Sequence, residues 1–140
     1  MPVSKKFVNQ FIAKHPNAKI IMVPPNTLEP EEVIAEAYRA CDGSSSVAYA
    51  LIGASAPHYH AHTRETYLLV DGVLHLRKMS FNYETESSSV LYADQGHFDI
   101  IHPNTVHSAE CVGKPAEVMV ISVPAYDPAD SYSPNSEPEI

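Results

Sequence analysis

Apolar and polar positions alternate in two different ways along this chain. Over residues 5–14 they follow helical spacing, with Phe7, Val8, Phe11 and Ile12 on one face, Ser4 at the N-cap position and Pro16-Asn17 as the stop. The run 19–23 is short and apolar, is closed by Pro24-Pro25-Asn26, and reads as a strand or the start of one. The stretch 31–40 (EEVIAEAYRA) is balanced between two readings. Its alanines and glutamates favour a helix, its length suits a strand, and periodicity does not decide.

From Ser46 onward short apolar runs recur at close intervals: 47–52, 66–70, 73–79, 90–92, 98–101 and 118–123. Turn formers separate them: Gly53, Asp71-Gly72, Asn82, 94–96, Pro103-Asn104 and Gly113-Lys114-Pro115. Asp71-Gly72 between two β-rich runs predicts a hairpin. Several short strands at this spacing predict an antiparallel sandwich or small barrel rather than alternating βαβ units. The run 118–123 is apolar on both parities, as a strand covered on both faces is. No internal repeat is visible. The organisation predicted is one domain: an arm with a short helix over about 1–45, a barrel over about 46–126, and an acidic tail over 127–140 that packs loosely and serves solubility.

Composition narrows the partners. The chain of 140 residues is 44% hydrophobic and 19% charged, which is globular and far from disordered composition. Its net charge of −8 disfavours phosphate backbones and anionic lipid, so neither nucleic acid nor a membrane surface is an expected partner. No apolar run has the length of a membrane span, and residues 1–10 lack the core of a secretion signal. Cys41 and Cys111 are too few for a disulfide framework; they read as small buried hydrophobes in a cytoplasmic protein.

The eight histidines change the picture. The densest chemistry lies in Pro57-His58-Tyr59-His60-Ala61-His62-Thr63-Arg64-Glu65. Strand alternation puts His58 and His60 on one side, about 7 Å apart, close enough for two imidazoles to share an ion. Glu65 adds a carboxylate where the chain bends at Thr63-Arg64. A second cluster, His102 to His107, lies some forty residues on, and hairpin folding would bring it beside the first. Two or three histidines with one carboxylate suit iron, manganese, nickel or zinc with open coordination positions. His62 shares the parity of His60, so a His60-His62 pair is also geometrically possible.

These residues resemble the cupin superfamily. Its first motif runs Gly, five residues, His-x-His, three or four residues, Glu, six residues, Gly. This chain has Gly53, four residues, His58-x-His60, four residues, Glu65, six residues, Gly72. The second motif runs Gly, five residues, Pro-x-Gly, two residues, His, three residues, Asn. It is matched by Gly96, six residues and Pro103-Asn104-Thr105-Val106-His107, with Thr105 in place of the glycine, one residue fewer before His107 and Cys111 in place of the asparagine. The ending VPAYDPAD over 123–130 is similar to the close of many small single-domain cupins. The resemblance implies an all-β double-stranded β-helix, a jelly-roll barrel, with one divalent metal at its mouth. Carried over by position, the ligands are His58, His60, Glu65 and His107. It also implies that 32–36 is a strand, and that the chain pairs into a homodimer through its arm or an edge strand.

The resemblance further implies an enzyme acting on a small polar substrate, a sugar or organic acid, by metal-assisted isomerase, lyase or oxygenase chemistry. A non-catalytic metal-dependent binding or sensing protein is the alternative, and a metal-free scaffold a third class. Tyr67, on the parity of Glu65, and His62, at the rim, are the candidates to move protons. A packed Tyr67 with a satisfied hydroxyl is the competing reading. His97 and His102 read as structural or solvent-facing, His15 carries no signal, and His75 and Arg77 form the wet face of their strand.

Overall fold

In the computed structural model, residues 2–80 and 86–134 are described. The helix α1 (Lys5–Lys14) is followed by β1 (Lys19–Val23), β2 (Glu32–Arg39), β3 (Ser46–Ile52), β4 (Ala54–His58), β5 (Arg64–Asp71), β6 (Val73–Ser80), β7 (Glu86–Tyr92), β8 (Phe98–Ile101), β9 (Thr105–Cys111) and β10 (Ala116–Val123). Asn82, expected at a turn, lies outside the described residues. The strands form two sheets, one of six in the order β1-β2-β3-β10-β5-β8 and one of four in the order β4-β9-β6-β7. Every pairing is antiparallel.

The two sheets enclose one apolar core, built from Ala50, Ile52, Tyr67, Leu69, Leu74, Leu76, Ile101 and Val118 among others. A second core lies on the outer face of the larger sheet, where α1 packs Val8 and Phe11 against Val33, Ala35 and Leu51. This double cover resolves the balanced stretch 31–40. In β2, Ile34 packs against the inner core while Val33 and Ala35 pack against the helix side. A strand covered on both faces has no polar-out alternation to read, which is why periodicity does not separate it from a helix. In β10, the strand between β3 and β5, Val118 and Val120 pack against the inner core while Met119 and Ile121 on the other face are half-buried. Ser4 does occupy the N-cap of α1 in extended conformation, but its side chain makes no capping hydrogen bond. The helix is tied down instead by Lys14, whose ammonium lies 2.6 Å from the buried Glu117 carboxylate of β10.

Three expectations are corrected. The Asp71-Gly72 turn is no hairpin: β5 and β6 lie in different sheets, so the turn carries the chain across the barrel. Gly72 has φ +85°, and a Cβ there would lie 3.3 Å from the Ala116 Cα. The turn chemistry was legible; the pairing partner was not, because β5 and β6 each find other neighbours whose inward faces complete the core. Cys41 is exposed in the β2–β3 connection and not a buried hydrophobe, whereas Cys111 is half-buried and packs against the inner core. The start of the tail does not pack loosely either. Tyr132 pairs with Tyr59, and Asp130 is buried within a short 3-10 turn, Pro128–Asp130. Among the described residues no helix is long and apolar enough to cross a membrane.

Candidate metal centre

His58 closes β4 and stands opposite His107 of β9 in the antiparallel register. His60 follows in the loop, and Glu65 sits near the start of β5. One ligand atom from each of the four lies within 4.8 Å of the others. The Glu65 Oε1 is 3.1 Å from the His60 Nε2 and 3.2 Å from the His107 Nε2. His60, Glu65 and His107 are almost fully buried, at 5%, 6% and 2% exposure.

The far nitrogen of each imidazole is already engaged. His58 Nδ1 lies 2.7 Å from the Ala56 carbonyl, His60 Nδ1 2.8 Å from the Asp130 carbonyl, and His107 Nδ1 3.0 Å from the Thr105 carbonyl. A carbonyl only accepts, so each Nδ1 carries the hydrogen and each Nε2 presents a lone pair. That arrangement fixes the tautomer and ring orientation that a metal ligand needs. The buried His60 Nε2, His107 Nε2 and Glu65 Oε1 have no hydrogen bond of good geometry. Buried polar atoms left this way are costly unless something else satisfies them. Three imidazole lone pairs and a carboxylate converging in a small volume fit one divalent ion of the borderline first-row type.

The electrostatics agree with that donor set. Burial alone would raise the Glu65 carboxyl, but facing His107 and His60 it is held well below the usual carboxylate range. Burial, and then the neighbouring His107, pushes His58 down to about 4, so it stays neutral. For His60 burial works downward, yet the Glu65 carboxylate outweighs it and the net shift is upward.

The loop that carries His60 is held by Asp130, a residue sequence reasoning did not single out. Its carboxylate accepts from the backbone N–H groups of Ala61 and His62 at 3.0 Å each, and from the Thr63 hydroxyl at 3.3 Å. One residue thereby braces the loop with its side chain and orients His60 with its carbonyl.

A cavity of about 870 Å³ opens from the centre between the sheets. His58, His60, Glu65 and Tyr67 line it together with Glu32, Tyr126, His75 and Arg77. His75 and Arg77 lie on the face of β6 opposite Leu74 and Leu76, which fill the inner core, so they border the cavity mouth from the wet face of the strand, and Arg77 pairs with Glu86 at 2.5 Å. Tyr67 is buried, with its ring edge-on to His107 at 6.3 Å. Burial, and then the charges of Glu65 and Glu32, pushes its hydroxyl well above 10, so it keeps its proton. His62 is exposed and does not line the cavity. His102 is exposed, and His97 packs on Tyr92 and accepts its backbone N–H at 3.1 Å. His15 lies between Phe11 and Tyr49, each ring centre at 4.7 Å, and is part of the helix-side packing.

No protein-family profile matches the chain, and no curated protein sequence matches it. Solved structures do. Capsular polysaccharide assembling protein CapF from Staphylococcus aureus is 20% identical with a TM-score of 0.64, over 86% of this chain and 33% of that one. The chain therefore spans about a third of the length of CapF. Pac13 of Streptomyces, described as a nucleoside dehydratase, is 15% identical with a TM-score of 0.63, over 89% of this chain and 95% of that one. Oxalate decarboxylase OxdC of Bacillus subtilis is 11% identical with a TM-score of 0.69, over 85% of this chain and 31% of that one. These are cupin-fold proteins.

Proposed function

The chain has the cupin fold, and from that premise we propose that it is a metal-dependent enzyme holding one divalent ion through His58, His60, Glu65 and His107. Its substrate is a small polar molecule, a sugar or organic acid, bound in the adjoining cavity. The observation that carries this reading is the convergence of buried, unsatisfied Nε2 and carboxylate atoms, with every opposite Nδ1 fixed by a carbonyl. A bound ion supplies Lewis acidity to a substrate oxygen. Iron, manganese, nickel and zinc all suit the donor set, and availability decides between them.

The chain's own residues supply the rest. The three backbone carbonyls orient the imidazoles, and Asp130 fixes the loop that carries His60. Ile34, Ala50 and Val120 give the cavity an apolar wall against which a small ligand packs. Of the two proton-moving candidates Tyr67 takes the role, because it lines the cavity with its proton held, whereas His62 faces solvent. Known proteins of this fold bearing the names dehydratase and decarboxylase support metal-assisted lyase or isomerase chemistry. The free thiols support a reducing, cytoplasmic setting, and the edge strand β8, with Phe98 58% exposed, supports a homodimer.

The test is a screen of sugars and organic acids with the metal-loaded protein, following consumption by NMR. Turnover of one of them, reduced 10²–10⁴-fold in Tyr67→Phe at unchanged metal content, is expected. Metal-dependent binding without consumption would contradict the enzyme reading and leave a binding protein.

A further inference from the structure

Glu32 is a group the metal centre does not use. It opens β2, on the same face as Ile34, which packs into the inner core, so its side chain enters the barrel interior. There it lines the same cavity as His60, Glu65, Tyr67 and Tyr126. Its position is rigid: β2 pairs on both sides, Glu32 lies opposite Val23 of β1 and Ile52 of β3, and the preceding carbonyl of Glu31 accepts from Gly53 and Ala54. Among the described residues the Glu32 carboxyl has no hydrogen-bond or ion-pair partner. A half-buried carboxyl without a cation, in a wall that also carries Glu65, weakens the fold and invites a functional reason.

We propose that Glu32 is an acid–base residue of the cavity, moving a proton between carbon or oxygen atoms of a substrate that carries an acidic C–H beside a carbonyl. In the forward step the Glu32 carboxylate takes the proton. The electron pair of the broken C–H bond then passes into the adjoining C=O to give an enolate. In an isomerisation the same carboxyl returns that proton to the former carbonyl carbon while the proton of the α-hydroxyl passes to the former carbonyl oxygen; in an elimination it goes to the departing β-oxygen, which leaves as water. No oxidant or reductant is required. This deepens the reading of the metal centre and rests on it.

The surroundings suit that task. Burial, and then the Glu65 carboxylate, pushes Glu32 up to about 7, where both protonation states are populated near neutral pH. The other ionisable groups lining the cavity close to the centre are Glu31, Tyr67, Tyr126, His58 and His60. Tyr126, with its ring edge-on to His60 at 6.5 Å, is raised by burial and then by Glu32. Tyr67 and Tyr126 keep their protons at neutral pH, whereas Glu32 can accept one.

Two measurements test this. In D₂O, the exchange of α-hydrogens in dihydroxyacetone and pyruvate is followed by NMR for metal-loaded wild type, Glu32→Gln and His58→Ala/His60→Ala, with metal content determined for each. Separately, ¹³C-glutamate labelling of chelator-treated protein reports whether a carboxyl stays protonated at pH 6. The expected result is exchange in wild type and a drop of about 100-fold or more in Glu32→Gln with metal retained. The protonated carboxyl signal should vanish in the same variant. Equal exchange in wild type and Glu32→Gln, no exchange of either probe by loaded wild type, or a Glu32 carboxyl fully ionised at pH 6 would overturn the proposal. A wild type that binds no metal would overturn instead the reading on which it rests.

Discussion

At the scale of single residues, the centre is held by groups that are not ligands. Asp130 accepts three hydrogen bonds from residues 61–63 and orients His60 through its own carbonyl. Replacing it with alanine leaves two backbone N–H groups and a hydroxyl unsatisfied in a protected loop. The expected cost is about 3 kcal/mol in denaturant unfolding and a 10–100-fold weaker metal affinity by competition titration. Full affinity in Asp130→Ala would show that the loop holds its shape without the carboxylate. Glu32 gives a pH signature. Its folded value near 7 lies above the ordinary carboxylate value of 4.5, so the folded protein binds its proton more tightly than the unfolded chain does. That contribution is present below about pH 4.5 and is lost as pH rises to about 7. In chelator-treated protein Glu32→Gln is therefore expected to gain stability on wild type between pH 5 and pH 8, by on the order of 2 kcal/mol. A pH-independent difference in Tm would contradict this. The grouping of His58, His60 and Glu65 was legible in the sequence because those residues are local. Asp130 was not: it acts across nearly seventy positions from a segment whose composition reads as solvated tail.

At the scale of elements, the strand pattern from Ser46 onward translated into β3, β5, β6, β8 and β10 with no boundary shifted by more than two residues. β9 was visible only as a histidine cluster, since its buried positions include His107 itself. Pairing is a long-range property, and Asp71-Gly72 shows the consequence: the local turn signal is real while the partners are elsewhere. Gly72→Ala should cost about 1–3 kcal/mol, because both the positive φ and the close Ala116 backbone oppose a side chain. Unchanged stability would mean that the crossing can be made differently. The helix α1 is a separate matter, since it covers the outer face of the sheet and not the cavity. Phe11→Ala is expected to lower stability by about 3–5 kcal/mol while leaving metal stoichiometry intact below the new melting point. Loss of metal in the folded variant would indicate that the helix side and the centre are coupled through β2 and β3.

At the scale of the whole molecule, one barrel provides a rigid frame in which β4, β5, β9 and the loop after β4 bring together His58, His60, Glu65 and His107. Its net charge of −8 and its cavity lined by carboxylates agree with a small polar ligand and not with nucleic acid. Light scattering at micromolar concentration is expected to give twice the 15.4 kDa chain mass, and a monomer mass would remove the homodimer from the account. The central claim is tested most directly by elemental analysis of the purified protein after reconstitution with iron, manganese, nickel or zinc, beside His58→Ala/His60→Ala. The account predicts close to one ion per chain, raised thermal stability on loading, and loss of both in the double variant. Metal-free wild-type protein under all four conditions, with folding intact, would contradict it.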